Sequence, residues 1–408
     1  MAMKRYLWIL IAAPLLASCS ASDAEEQAGG SATASVVSYD VTTDDITTRA
    51  AIANTEEFLT DGRQFRVWAF MKMENTDTWT AMTSDYNDQP LQAVDVTYVK
   101  WRNEWLTYDA NNPTTTVVYY WPRPEYAVNF YAVYPAANYF NTTNKTLDYT
   151  VSADNTDVDL MYATRQGQRT GQERPQERKA VPLTFHHALT QVSFYGHLSS
   201  VLDALGWHIE VKSISICNVK SQGKLSLVTD ENYNNHPKQF EFEENPTLSD
   251  YPMVMNPDVQ PLTTYSTPTN QIEGKIPLTS LTNIAMLLPQ ELTAWNTNSS
   301  TEKLGSEKPS TNGCYLAVAL RIKNSATNSY IFGTNADDGF ITVYSPFDCG
   351  VQGGWQSGLH YHYVLTFNGG YDVHGARVIQ PIGISASITD WTNLDPVNES
   401  IIQQENIQ

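Results

Sequence analysis

A two-residue alternation of apolar and polar side chains recurs along this chain, and no segment beyond residue 17 sustains a helical period over four turns. Phe65, Val67, Ala69 and Met71 fall on one face of a strand, and Val128, Phe130, Ala132 and Tyr134 on one face of another. The pattern returns at Leu316, Val318, Leu320 and Ile322, at Tyr361, Tyr363, Leu365 and Phe367, and at Ile384, Ala386 and Ile388 with Ser385, Ser387 and Thr389 between them. Antiparallel sheets buried on one face produce such alternation, whereas parallel α/β folds need helical crossovers that the pattern lacks. Turn-forming clusters punctuate the runs, among them Asn111-Asn112-Pro113, Pro135-Ala136-Ala137-Asn138 and Gly369-Gly370. The expected architecture is an all-β sandwich, and 408 residues supply core enough for more than one.

The amino-terminal residues carry a destination. Lys4 and Arg5 precede an apolar run from Tyr6 to Ala17, which fits a secretory signal and is too short to span a bilayer comfortably. The run closes on Leu16-Ala17-Ser18-Cys19, which resembles a bacterial lipobox, where cleavage before the cysteine leaves its thiol to carry the lipid. An ordinary signal with an incidental cysteine is the alternative. Residues 20–30 are small and acidic and read as a flexible tether. Beyond Cys19 the thiols are Cys217, Cys314 and Cys349, which allow at most one internal bridge. Cys314 with Cys349 is the candidate, set against buried unpaired thiols.

With 25 Lys and Arg against 44 Asp and Glu the formal charge is −19, which disfavours nucleic acid as a partner. Residues 164–180 hold Arg165, Arg169, Arg174, Arg178 and Lys179 with almost no apolar content, and read as a solvated loop or connector. A domain boundary is expected near Pro182, where apolar strand character resumes.

Catalytic signatures are missing: the chain has no GxSxG, HExxH, Walker loop or GxGxxG sequence, so no catalytic residue is assigned and no enzyme is expected. His186 and His187 are adjacent on a strand and diverge, whereas His360 and His362 share a sheet face in a ligand-compatible way but lack a third ligand. Asp154, Asp157 and Asp159 cluster without EF-hand spacing. Neither metal nor cofactor is expected. Trp79, Trp101, Trp105 and Trp121 invite a sugar-binding platform, for which core packing is the competing explanation.

Segments spread over most of the length resemble the fimbrillin-like lipoproteins that build or cap type V pili in Bacteroidia. They are the lipobox at Cys19, Thr47-Thr48-Arg49-Ala50, residues 127–135 (AVNFYAVYP), 159–163 (DLMYA), 183–192 (LTFHHALTQV), 286–290 (MLLPQ), 355–363 (WQSGLHYHY) and 388–391 (ITDW). The resemblance implies two tandem transthyretin-like antiparallel β-sandwich domains. It divides the chain into a signal peptide at 1–18, a tether at 19–35, an amino-terminal sandwich at 36–182 and a carboxy-terminal one at 183–408. It also implies lipidation at Cys19, outer-membrane residence through that lipid, and cleavage between Arg49 and Ala50 that removes the first strand. Val37, Tyr39 and Val41 alternate before that arginine and form the removable strand. Other fimbrial subunits would then refill the groove by strand addition, and a host or bacterial surface ligand is the expected partner of an adhesive tip. Residues 392–408 are polar and interrupted by Pro396, a poor donor strand unless the strand around Ile384 to Ile388 swings out, which favours a tip or accessory position. A membrane-anchored glycan-binding lipoprotein is the alternative function.

Overall fold

The computed structural model describes residues 36–43, 54–73, 76–83, 89–109, 112–122, 126–153, 159–169, 180–227, 239–257, 261–262, 275–296, 308–367, 369–371, 377–379 and 383–390. Strands dominate. The first half contributes β1 (Tyr39–Thr43), β2 (Gln64–Met73), β3 (Thr80–Ala81), β4 (Val94–Val99), β5 (Glu104–Asp109), β6 (Asn112–Thr116), β7 (Tyr126–Tyr134), β8 (Phe140–Asn141), β9 (Thr146–Thr150), β10 (Met161–Arg169) and β11 (Val181–His187). The second contributes β12 (Thr190–Leu198), β13 (Trp207–Lys220), β14 (Gln222–Ser226), β15 (Leu248–Pro252), β16 (Ile276–Pro277), β17 (Ala285–Leu287), β18 (Tyr315–Asn324), β19 (Ser329–Phe332), β20 (Ile341–Pro346), β21 (Leu359–Phe367), β22 (Gly369–Tyr371), β23 (Arg377–Ile379) and β24 (Gly383–Asp390). The described helices, α1 (Thr55–Phe58) and α2 (Ser200–Ala204), are single turns. Asn54 caps the first by accepting from the Glu57 N–H at 2.9 Å.

The first half is a sheet in the order β1-β11-β10-β7-β2-β4-β5-β6, with β3 beside β2. Its central strands are buried on both faces. Phe65, Val67 and Ala69 of β2 join Val128, Phe130 and Ala132 of β7 in one core, while Trp68, Phe70, Tyr131 and Val133 point the other way into a second core. That second core is continuous with the other half, whose sheets β16-β12-β21-β24 and β15-β13-β18-β19 enclose Val192, Phe194, Tyr361, Ile214, Ile216, Leu316 and Val318. Among the described strands most pairings are antiparallel, while β1 runs parallel to β11 and β12 to β21.

Two features lie outside what alternation announces. The strand at the expected boundary, β11, pairs with β10 and so belongs to the first sheet, and the chain passes into β12 across Ala188 and Leu189, within about ten residues of Pro182. The halves are also joined by a sheet of their own, in which β14 pairs with β9 from Gln222↔Thr150 to Ser226↔Thr146.

The resemblance segments in the second half act as latches. Buried Gln290 accepts from the Lys220 N–H at 3.1 Å and donates to its carbonyl at 3.0 Å, continuing the end of β13 with a side chain. Trp355 donates its indole N–H to the Tyr363 hydroxyl at 2.7 Å, which donates onward to the Cys349 carbonyl at 2.9 Å. Buried aromatic side chains keep their polar tips satisfied in this way.

Candidate functional site

The segment Val36–Thr43 occupies a slot between two stretches of the first half. On one side β1 runs parallel to β11, in register from Tyr39↔Val181 to Thr43↔Phe185, and the Val181 N–H donates to the Ser38 carbonyl at 2.8 Å. On the other side the Val37 N–H donates to the Tyr119 carbonyl at 2.8 Å and Val36 bridges Tyr120 antiparallel. Burial alternates as the sequence does: Val37, Val41 and Thr43 point inward, Ser38, Asp40 and Thr42 outward. Val37 and Val41 share a core with Phe65, Val67, Phe130, Leu183 and Phe185, and the Tyr39 ring meets Phe65 edge-on at 5.9 Å. Burial drives the Tyr39 phenol far above its ordinary pKa, with Tyr119 adding to the shift, so it is a neutral wall of the slot. Without β1, the facing backbone groups of β11 would lose their partners and the apolar floor would meet water.

At its end β1 is tied across the eleven residues 44–54, since the Thr43 N–H donates to the Thr55 hydroxyl at 3.0 Å. Arg49 and Ala50 fall between those anchors, in residues 44–53, and like Cys19 lie outside the described residues. The sequence reading placed Val37, Tyr39 and Val41 on a strand but missed β11 as its partner. Alternation at Val181, Leu183, Phe185 and His187, all four buried, marks β11 as a strand but does not name its partner.

The other candidates resolve differently. Trp121 is buried against Phe130, Trp105 packs on Phe65 and Phe58, and Trp79 lies half-buried under Lys72, so core packing accounts for these three. Trp101 stands apart at 79% exposure. His187 hydrogen-bonds Asp159 at 2.9 Å in a fully buried pair, while His186 diverges toward Tyr162; Asp154 and Asp157 lie outside the described residues. Cys217, Cys314 and Cys349 are free, buried thiols, so the bridge considered above is not formed. Burial pushes Cys217 and Cys349 up to about 12, a range in which thiols stay protonated and unreactive.

His360 and His362 do share a face, with ring centroids 3.8 Å apart, and both bond the Ser193 hydroxyl, at 3.0 and 2.9 Å. Among the described residues no group of three or more potential ligands surrounds them. Burial holds His362 down at about 4 and His360 well below its usual range. A histidine kept neutral in the fold takes up protons more readily when unfolded, so its stabilising share is complete above about pH 6.5 and is lost as pH falls toward 4. The His362 shift corresponds to roughly 3 kcal/mol over that window. Chemical denaturation at pH 7 and pH 4.5 should show this loss in the native chain and a flatter profile in His362→Gln; equal slopes in both would assign the pH dependence elsewhere.

The family model described as fimbrillin-like matches residues 48–391. No curated protein matches the chain. Among solved structures, a fimbrial protein from Bacteroides vulgatus is similar at 14% identity, covering 88% of this chain and 100% of that one with a TM-score of 0.49. The fimbrial anchor protein Mfa2 from Porphyromonas gingivalis aligns at 8% identity over 91% of this chain and 99% of that one, TM-score 0.34. The tip fimbrial protein Mfa3 from the same organism aligns at 11% identity over 86% and 99%, TM-score 0.34.

Proposed function

The chain belongs to the fimbrillin-like family, and from that premise we propose that it is a structural subunit of a cell-surface fimbria, made as a lipidated precursor and released for assembly by cleavage of its leader. Cys19 carries the lipid that holds the precursor at the outer membrane, and cleavage between Arg49 and Ala50 frees the chain from it. The leader strand Val36–Thr43 then leaves its slot, and an alternating strand from another fimbrial subunit takes its place.

The observation that supports this reading best is the position of β1. It is the first described strand, it pairs along one side with β11, and the residues tied by the Thr43 to Thr55 hydrogen bond bracket Arg49. Cleavage there leaves a single short segment to be expelled, with the other strands of the sheet still connected. The opposite terminus supports a tip or accessory position. Strand β24 is paired with β21 along eight residues, from Leu359↔Asp390 to Thr366↔Gly383, and is thereby committed to its own sheet. Residues 391–408, which follow it, lie outside the described residues.

Arg49→Ala tests the assembly route. A basic side chain is what an acidic protease pocket would select, so the variant should accumulate as precursor, label with a fatty-acid probe at Cys19, and appear in fibres at roughly a tenth of the native level or less, since assembly then depends on slow cleavage elsewhere. Native fibre subunits should begin at Ala50. A fibre-derived chain beginning at Cys19 or Ser20 would rule out release by this cleavage.

A further inference from the structure

Trp101 sits at the tip of the hairpin joining β4 to β5, and its 79% exposure far exceeds that of the next most exposed large apolar side chain among the described residues, Val36 at 48%. The tip is held in place. The Lys100 N–H donates to the Asp61 carboxylate at 2.9 Å, the Tyr98 hydroxyl donates to the Asn103 side-chain oxygen at 2.7 Å, and Asn103 takes the left-handed conformation at φ 55° that the turn requires. The Arg102 guanidinium stacks over one face of the indole, 4.7 Å from its centre. The other face is open.

Size and charge select among partners for this feature. A stable protein interface needs on the order of 800 Å² from each side, whereas the apolar surface here is one side chain wide and sits on polar ground. One ring matches one ring. An indole face stacks on the C–H face of a pyranose, and Trp101 is flanked in the chain by two exposed cations, Lys100 and Arg102, with the nearby Asp61 carboxylate already engaged by the Lys100 N–H. A guanidinium presents paired N–H groups in the geometry of a carboxylate. We propose that Trp101, Arg102 and Lys100 form a subsite for an acidic sugar, the pyranose stacked on the open indole face and its carboxylate met at the ring edge by Lys100 and by Arg102, whose guanidinium swings out from the opposite face to reach it. A single such subsite binds weakly, and a fibre or membrane surface carrying many copies would gain by avidity. The subsite is independent of leader removal and strand exchange.

The test is titration calorimetry of the full chain with tetragalacturonate and, as the neutral comparison, maltotetraose. The native chain should bind the acidic tetramer at millimolar or tighter affinity and the neutral one at least tenfold more weakly. Trp101→Ala should weaken binding roughly tenfold or more, and Arg102→Gln should bring the acidic tetramer down to the neutral level. Both side chains are at the surface, so both variants should melt with the native chain, and Trp101→Ala should still enter fibres. Equal binding of the two tetramers, no binding at millimolar concentration, or undiminished binding by Trp101→Ala each overturns the proposal while leaving the fimbrial reading standing. Failure of Trp101→Ala to enter fibres would mark the tip as an assembly contact and overturn it as well.

Discussion

Precursor cleaved after Arg49 and separated from its leader is expected to melt several degrees below the intact chain. Val37, Tyr39 and Val41 line a core with Phe65, Val67, Phe130 and Phe185. Burying such side chains contributes roughly 1.5–3 kcal/mol each, offset in part by the cost of ordering the strand. Leader removal also strips β11 of its partner from Val181 to Phe185 and the 119–120 segment of its contact with Val36 and Val37. In a chain of this size a net loss of several kcal/mol lowers the melting point by roughly 5 °C or more. Nicked protein that retains its leader should melt near the intact value, which separates the effect of the cut from the effect of the empty slot. A peptide with an alternating apolar sequence should then restore the transition in a concentration-dependent way, as a ligand of the native state alone does. Unchanged melting after verified leader removal would sink strand exchange for this chain and strengthen the anchored, glycan-binding alternative.

How far the sequence could be read depended on what each residue's period reported. Phe65, Val67 and Ala69 announce a strand with one buried face, and the strand is there. On the opposite face of the same strand Trp68 and Phe70 are buried too, because β2 lies between two cores. A near-continuous apolar run from Val67 to Met71 was the available sign, since strands covered on both faces lose their alternation. Pairing was less legible than strand identity. Val181, Leu183 and Phe185 alternate plainly, but nothing local to them says that their partner is Tyr39 to Thr43, some 140 residues earlier. The same holds for the histidines: two-residue spacing placed His360 and His362 on one face, while the hydroxyl that joins them comes from Ser193 on another strand.

The long-range pairing of β14 with β9 leads to the second large effect. Leu225 stands opposite Leu147, both fully buried, and both belong to the core that runs from Trp68 and Phe70 in the first half to Leu316 and Tyr363 in the second. With a continuous core and a shared sheet across the halves, neither can unfold without exposing the other's core, so calorimetry of the native chain should show one cooperative transition. Leu225→Asp places a carboxylate where the leucine packs, in a site with no cation among its strand neighbours except Lys224, whose own side chain is turned to solvent beside Glu243. Such a substitution costs about 4 kcal/mol or more. Because the cost falls on the joint, the expected result is a split into two transitions, with the first half melting earlier once Phe140, Leu147 and Tyr149 lose their cover. Lys224→Ala, on the exposed face of the same strand, should leave the single transition within about 0.5 kcal/mol of native. A Leu225→Asp chain that still melts in one step at the native temperature would show that β14 does not couple the halves. The domains of a subunit under tension would then be free to separate, instead of carrying load as one body.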